Sequence, residues 1–194
     1  MTFENIFALL TELLEGKSVD LKIVEKEDLP HELEWFNDLD FWGQYERIEQ
    51  ASKAEFEKDF EKPHRIKDFF IQKKDGTKVG ILRVFELVPG MQDVFGLEIG
   101  YSLLAEERGK GYCTEAVNIL LDFLFLSSTV FRIQAHADVR NKASQRVLEK
   151  TGFQKEGTIR KGYFARGERR DSFIYSILRD EWKEPRILED PSQL

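Results

Sequence analysis

Residues 103–116 read LLAEERGKGYCTEA, and this stretch decides the fold that the sequence predicts. An apolar strand ends here, Gly109 and Gly111 follow two positions apart, and an apolar helix begins at about Thr114. Glycine permits a backbone with positive φ and the close approach of a ligand. The first amides of a helix lack internal partners and carry partial positive charge. The order strand, glycine loop and helix start therefore predicts a site for an anion such as phosphate.

The loop differs from two well-known phosphate-binding patterns. It has neither a full G-x-G-x-x-G nor the Gly-Lys-Ser/Thr ending of a P-loop. Arg108 and Lys110 add positive charge to it. From spacing alone, a phosphate site and an ordinary turn shaped by glycine both remain open.

Downstream of the loop, apolar spacing alternates between the periods of helix and strand. The predicted elements are a helix at 114–127, a strand at 132–139, a helix at 141–152, and strands at 153–159 and 169–178. Asn141 caps the second helix and Gly152 ends it. Strands separated by helices at this spacing indicate βαβ units.

Upstream, the pattern predicts a helix followed by strands that pair as hairpins. The predicted elements are helices at 3–14, 28–39 and 52–61, and strands at 19–24, 69–73, 78–87 and 94–104. Pro30 lies in the first turn of the second helix, Ser52 and Glu55 form a capping box, and Asp75-Gly76 is a hairpin turn. After the first helix the order is β-α-α-β-β-β-α-β-α-β-β, which predicts an α+β fold with a mixed sheet.

Composition limits the classes of protein to consider. The chain has 194 residues and a net charge of −7, and Cys113 is its single cysteine. This length favours one domain, and one cysteine excludes an internal disulfide or a multi-cysteine metal site. No segment resembles a signal peptide or a membrane span. We therefore expect a cytoplasmic protein with no metal, no membrane partner and no nucleic-acid partner, and the acidic balance leaves room for a cationic substrate.

The stretch EIGYSLLAEERGKGYCTEA, residues 98–116, resembles motif A of the GNAT superfamily of N-acetyltransferases. That motif reads Arg or Gln, two residues, Gly, one residue, then Gly or Ala. Arg108, Gly111 and Cys113 occupy the three defined positions. Cys113 departs from the pattern, because the family has Gly or Ala at this last position. Cysteine is also small, so we expect the cofactor binding that the resemblance implies to survive.

Four other segments resemble the same family, particularly its ribosomal-protein N-acetyltransferase (RimJ/RimL-type) branch. They are EKEDLPHELEWFNDLDFWG (25–43), KKDGTKVGIL (73–82), NKASQRVLEKTGFQKEG (141–157) and DSFIYSILRDEW (171–182). The resemblance implies the GNAT fold, a mixed, mostly antiparallel central sheet with helices on both faces. It also implies that this sheet splays between the motif A strand and the next parallel strand.

The same resemblance sets the expected domain limits and reaction. We expect an N-terminal helical extension at 1–17, an acetyltransferase domain at 18–183 and a C-terminal tail at 184–194. The family uses acetyl-CoA as donor and a primary amine as acceptor. A monomer and a homodimer are both open.

The resemblance also assigns residues to the cofactor. It places the CoA pyrophosphate on the amides of the loop, and pantetheine against the preceding strand, where strand addition uses unpaired backbone groups. The implied cofactor-binding residues are Leu103, Leu104, Arg108, Gly109, Lys110, Gly111, Tyr112, Cys113, Asn141 and Ser144. Ser144 is further implied as proton donor to the departing thiolate. Simple helix capping by Asn141 and a polar helix face at Ser144 are the alternatives.

The acceptor amine must lose a proton before it attacks a thioester, so the chemistry needs a base. Glu98 is the first candidate, because Leu97 and Ile99 facing the core would turn it to the opposite face, towards an acceptor groove or only solvent. Tyr101 and Tyr163 are alternative proton donors, or packing residues. Direct transfer needs no acyl-enzyme, so Cys113 is not expected to act as a nucleophile, and His136 is expected to be a packed or surface residue.

Residues around the first helix of the predicted domain border the acceptor site in the family. They are the aromatic residues Trp35, Phe36, Phe41, Trp42 and Tyr45 and the acids Glu34, Asp38, Asp40 and Glu46. The aromatic residues either line the acceptor groove or pack in the core. The acids either attract a cationic amine or form a solvated face. A protein N-terminus is the favoured acceptor; a small amine (aminoglycoside, polyamine or amino-acid derivative) and a CoA-binding module without turnover are the alternatives.

Overall fold

The computed structural model describes residues 13–61, 65–87 and 96–188 of the chain. The strands are β1 (Leu13–Leu14), β2 (Val19–Ile23), β3 (Arg65–Lys73), β4 (Lys78–Glu86), β5 (Gly96–Leu103), β6 (Arg132–Asp138), β7 (Gln154–Ala165) and β8 (Glu168–Leu178). The helices are α1 (Leu29–Asn37), α2 (Leu39–Trp42), α3 (Lys53–Phe60), α4 (Tyr112–Ser127) and α5 (Lys142–Lys150). Short 3-10 turns at Lys26–Asp28 and Ala105–Glu107 precede α1 and α4.

The strands form a single sheet in the order β1-β2-β3-β4-β5-β6-β8-β7. Within the described residues, β5 and β6 are its one parallel pair, and every other neighbouring pair is antiparallel. The helix α4 connects the two parallel strands, as a parallel crossover requires. The predicted mixed, mostly antiparallel sheet is confirmed.

Helices cover both faces of the sheet, also as predicted. On one face α4 and α5 pack against apolar residues that alternate along the strands, including Leu97, Ile99 and Ile133. On the other face a smaller aromatic core joins Trp35 of α1, Phe41 of α2 and the strand residues of β3 and β4. Period-two alternation along the central strands supplies both cores.

Local sequence signals set several boundaries. The Ser52–Glu55 capping box is present at the start of α3, and the Asn141 side chain accepts a hydrogen bond from the Ser144 amide at the start of α5. The Asp75-Gly76 turn joins β3 to β4, with the Gly76 amide bonded to the Lys73 carbonyl. These predictions succeed because each depends on residues within a few positions.

Other boundaries differ from the prediction. Of the helix predicted at 3–14, residues 3–12 lie outside the described part, and Leu13–Leu14 form a strand whose Leu14 pairs with Leu21. Pairing of these two residues at the sheet edge buries the Leu14 side chain, which favours the strand. The helical spacing of apolar residues in the sequence gives no indication of this pairing. The helix predicted to run to residue 39 divides into α1 and α2, because Asp38 is extended. Bulges let β7 continue to Ala165, well beyond residue 159.

The start of α4 also differs, since the helix begins at Tyr112 and not at Thr114. None of the helices within the described residues combines the length and apolar character needed to cross a bilayer.

The C-terminal segment is tied to α4 through a buried carboxylate. Asp122 is fully buried and accepts hydrogen bonds from the Trp182 indole and from the amides of Arg186, Ile187 and Leu188. Leu188 is itself buried. The first residues of the predicted tail therefore pack on the domain, while the proposed limit at residue 183 stays a prediction.

Candidate active site

The central feature of the site is a gap between β5 and β6. The two strands pair only from Gly96 to Glu98 on β5, against Arg132 to Gln134 on β6. Beyond these residues they separate, so the β6 side of β5 carries unpaired backbone groups. We call this separation the strand gap, and it is the splay that the resemblance implied.

Tyr101 and Leu103 direct their backbone groups to the strand gap. The Leu104 amide donates to the Val79 carbonyl, and backbone groups alternate in direction along a strand, so those of Leu103 point the other way. The Leu103 carbonyl accepts a hydrogen bond from Arg108 Nε, which leaves its amide for the gap. The Leu104 carbonyl accepts from the Glu107 amide, so both Leu104 backbone groups are bonded within the protein. Of the two predicted pantetheine contacts, Leu103 has the better placed backbone.

The glycine loop, residues 104–111, ends at the N-terminus of α4. Gly109 and Gly111 have φ values of +78° and +92°, which favour glycine, and a Cβ at either position would meet no atom within 4 Å. Within the described residues, the amides of 109–113 have no hydrogen-bond partner, since the first helical bond runs from the Glu115 amide to the Gly111 carbonyl. The loop therefore presents free N–H groups beside open space, which is the arrangement that binds a phosphate.

The two basic side chains of the loop are engaged within the protein. Arg108 donates to the carbonyls of Leu103, Asp40 and Phe41, at 3.1, 2.9 and 2.8 Å, and so joins the loop to α2. Lys110 Nζ lies 2.8 Å from a Glu107 carboxylate oxygen. Arg108 thus positions the loop, and phosphate binding would depend mainly on the backbone amides.

Ser144 and Tyr101 meet on the α4–α5 side of the strand gap. Their hydroxyl oxygens are 3.1 Å apart, and the Tyr101 hydroxyl also lies 3.3 Å from the Ser144 carbonyl. Burial raises the pKa of Tyr101 well above its usual value, so the phenol stays protonated. Asn141 caps α5 through the Ser144 amide, which is the simple role expected of it. Its contact with a cofactor stays a prediction.

Glu98 lies on the opposite face of the sheet, as alternation predicts. Its Oε2 accepts a hydrogen bond from Gln134 Nε2 at 2.9 Å and lies 3.6 Å from His136 Nε2. The Glu98 side chain is 37% exposed and that of His136 is 31% exposed, so solvent reaches both. Gln134 was not among the residues predicted from the sequence, and His136 was expected to be a packed or surface residue, although alternation along β6 places both on one face.

The three histidines have different surroundings. His31 packs against Trp35 with ring centroids 4.6 Å apart, and burial lowers its pKa. His136 faces Glu98, while His64 lies outside the described residues. The expectation that His136 is only a packed or surface residue leaves out its proximity to the candidate base.

The aromatic residues before α3 divide between core and surface. Trp35 and Phe41 are buried and stack with centroids 5.0 Å apart, so packing accounts for both. Trp42 donates its indole N–H to the Phe36 carbonyl. Tyr45 is half-buried and lines a cavity of about 360 Å³. The acids Glu34, Asp38, Asp40 and Glu46 are exposed.

Tyr163 lies away from Ser144, at the far end of β6. Its hydroxyl donates to Asp138 Oδ2 at 2.7 Å. Burial opposes ionisation of Asp138, but hydrogen bonds from Arg140 and Tyr163 outweigh it and lower the pKa of Asp138 to about 2. Burial and the Asp138 carboxylate raise the pKa of Tyr163, and the charge of Glu46 adds to that rise. Tyr163 therefore belongs to a separate polar network from Ser144 and Tyr101.

Comparison with known proteins agrees with this geometry. The family described as Acetyltransferase (GNAT) domain matches residues 19–154. Probable N-acetyltransferase YjcK of Bacillus subtilis (strain 168) is 30% identical over 178 residues, which cover 86% of this chain and 97% of the relative.

Two solved structures share the fold. Ribosomal-protein-S5-alanine acetyltransferase from Vibrio fischeri superposes with a TM-score of 0.75 at 22% identity, covering 89% of this chain and 99% of the other. Spermidine N-acetyltransferase from Vibrio cholerae, solved with CoA and spermine, gives a TM-score of 0.73 at 21% identity, covering 84% and 97%. With a family match over most of its length, a strand gap and a glycine loop of free amides, the chain belongs to the GNAT family of acetyltransferases.

Proposed function

We propose that this enzyme transfers an acetyl group from acetyl-CoA to a primary amine by direct attack, with a protein N-terminus as the favoured acceptor. The observation that carries the proposal is the row of unbonded amides at residues 109–113, set at the end of the strand gap. An anion held there would direct the rest of an extended ligand along the unpaired edge of β5.

The residues present fit CoA in two independent ways. Open space above Gly109 and Gly111 accommodates a diphosphate against the backbone, and the Leu103 amide offers an unpaired donor to an extended amide chain. When bound, acetyl-CoA supplies the activated acetyl thioester. The Vibrio cholerae relative solved with CoA supports this cofactor.

Glu98 is the proposed base. Its carboxylate is half-exposed on the face away from α4. It accepts the proton that the acceptor ammonium must lose before the neutral amine attacks the thioester. Gln134 holds one carboxylate oxygen in place through a 2.9 Å hydrogen bond, and His136 is near enough to pass the proton on through water. Direct attack needs no nucleophile on the protein, consistent with the raised pKa of the partly buried Cys113 thiol.

Ser144 is the proposed proton donor to the leaving sulfur, on the other side of the strand gap. Its hydroxyl lies 3.1 Å from that of Tyr101, so the phenol can replace a proton that Ser144 gives up. Positioning of the acceptor and the thioester in one gap supplies a further part of the rate enhancement.

The acceptor is tested by measuring free CoA released with a panel of N-terminal peptides and small amines. We expect release with peptides, in support of the favoured acceptor. Release with spermidine or aminoglycosides but not with peptides would show a small-molecule enzyme. Tight CoA binding by calorimetry with no release under any acceptor would overturn the proposed activity.

A further inference from the structure

A cavity of about 360 Å³ lies beyond the end of β6, between the loop that follows α2 and the β7–β8 hairpin. Its lining residues are Gln44, Tyr45, Arg140, Arg166 and Arg170. We call it the arginine pocket. Three of the five lining residues are cationic and none is acidic, so the pocket differs from an ordinary solvated cleft.

Two of these arginines are neutralised by two carboxylates. Arg140 lies 3.1 Å from Asp138 and 3.0 Å from Glu168, measured between guanidinium nitrogen and carboxylate oxygen. Arg170 lies 3.5 Å from Asp138 and 3.0 Å from Glu168, and only 9% of Arg170 is exposed. Two guanidinium groups and two carboxylates thus form a closed network with no excess charge.

Arg166 is the remaining charge of the arginine pocket. Its Nη2 donates to the Leu39 and Gly43 carbonyls at 3.1 and 2.7 Å, which fixes the guanidinium against the loop after α2. Within the described residues, no carboxylate lies within 4 Å of Arg166 and its Nη1 makes no hydrogen bond. Its Nε is buried, and that part of the chain offers it no partner. Nη1 is therefore the nitrogen with unbonded donors on an oriented guanidinium, an arrangement that suits a carboxylate.

The backbone at Arg166 supports a role for this side chain beyond the turn. Arg166 has a φ of +51° in the turn between β7 and β8, a conformation in which Gly, Asn and Asp are preferred. Arginine at this position costs local stability, and its side chain is directed into the pocket. Strain of this kind is typically retained where the side chain has a task.

The arginine pocket lies on the same side of the sheet as the candidate base. Gln134, His136 and Asp138 alternate onto one face of β6, and Gln134 holds Glu98. Asp138 is four residues beyond Gln134, about 13 Å at ~3.3 Å per residue. An acceptor whose amine reaches Glu98 therefore extends towards the pocket over roughly four peptide residues.

We propose that the arginine pocket binds a carboxylate of the acceptor, so that the preferred substrate is an amine carrying an acidic group about 13 Å away. This inference rests on the proposed acetyltransferase function. The carboxylate comes from an acidic side chain near a peptide N-terminus or from a small ω-amino acid. Polyamines, which lack an anionic group, are poor acceptors on this basis.

The test uses Arg166→Asn, which removes the charge but supplies Asn-Gly, the preferred pair for a two-residue hairpin turn. Its matched control is Arg169→Gln, which removes an exposed arginine of the same hairpin outside the pocket. The acceptors are a pentapeptide amide with acidic third and fourth residues, its Gln/Asn counterpart, 10-aminodecanoate and spermidine. Both KM and the Kd of each peptide for the CoA-loaded protein are measured.

We expect the parent enzyme to favour the acidic peptide over its neutral counterpart by about tenfold in KM and Kd. Arg166→Asn should abolish that preference, and Arg169→Gln should keep it. Preference for the acidic peptide assigns the carboxylate to a protein N-terminus, and preference for 10-aminodecanoate assigns it to an ω-amino acid.

Equal use of acidic and neutral peptides, or faster turnover of spermidine, would overturn the carboxylate site while the acetyltransferase stands. Should no acceptor be turned over at all, the proposed function fails, and the calorimetric Kd still decides the site. Acidic-peptide binding weakened by Arg166→Asn supports the pocket, and equal binding of both peptides excludes it.

Discussion

At the start of α4, the Cys113 thiol is subject to two opposing effects. The helix N-terminus and Arg108 favour the thiolate, whereas burial favours the thiol. Burial is the larger effect and raises the pKa of Cys113 to about 12. The side chain therefore packs as a small apolar residue at a position where the family has Gly or Ala, and the expectation that it is no nucleophile stays a prediction.

Glu98 gives the sharpest prediction at the scale of one residue. Glu98→Gln keeps an oxygen to accept the Gln134 hydrogen bond but cannot take up a proton. We expect kcat/KM to fall about 100-fold at neutral pH, and the loss to shrink as the pH passes the α-amino pKa of ~8, where the acceptor is already deprotonated. A pH–rate profile with a peptide acceptor measures both effects.

Asp180→Asn is the control for that experiment, because Asp180 is an exposed acid in the turn after β8 and has no hydrogen bond with any described residue. A profile for Glu98→Gln that superposes on that of Asp180→Asn would remove Glu98 as the base. His136 would then be the next residue to examine, since it is the nearest titratable neighbour on that face.

At the scale of elements, the glycine loop and the start of α4 act together. Gly111 directly precedes the helix, and its φ of +92° is unfavourable for most other residues. A Cβ added at Gly111 would meet no atom within 4 Å. Gly111→Val places a branched side chain in that space. We expect the Kd for CoA to rise at least tenfold, measured by calorimetry, because the diphosphate can no longer approach the amides.

Gly76→Val separates this effect from backbone strain. Gly76 has a φ of +86° and equally open surroundings, but it lies in the β3–β4 turn. Both variants should lose similar stability, whereas only Gly111→Val should lose CoA. Equal CoA affinity in the two variants would contradict the assignment of the glycine loop.

At the scale of the whole molecule, Asp122 joins the helix α4 to the C-terminal segment. Its buried carboxylate accepts four hydrogen bonds, which would lose their acceptor in Asp122→Ala. Each buried donor left unpaired costs ~1–3 kcal/mol, reduced here because the segment can detach. We expect the free energy of unfolding to fall by about 3 kcal/mol in equilibrium urea titration.

Asn118→Ala is the control. Asn118 lies one turn before Asp122 on α4, and its side-chain oxygen accepts a hydrogen bond from the exposed Arg186 guanidinium. Its cost should stay below about 0.5 kcal/mol. If Asp122→Ala also costs less than about 0.5 kcal/mol, the hydrogen bonds of Asp122 to the segment after β8 would contribute little to the stability of the domain.

The order of the elements and the motif A loop could be predicted from sequence, because they depend on contacts within a few residues. Signals of this local kind are the Ser52–Glu55 capping box, the Asn141 cap and the positive φ values of Gly109 and Gly111. They were sufficient for the fold class and for the place of the proposed phosphate contacts, whereas the family was implied by the resemblance of motif A and four further segments. Alternation was also sufficient to turn Glu98 away from the main core.

What only the tertiary structure decided lies between elements that are distant in sequence. Pairing of β5 with β6 brings Gln134 and His136 to Glu98, and packing of α5 against the strand gap brings Ser144 to Tyr101. The arginine pocket needs the loop after α2, the end of β6 and the β7–β8 hairpin together. No local pattern encodes such contacts, because strand register and helix packing are fixed by the burial of the whole core.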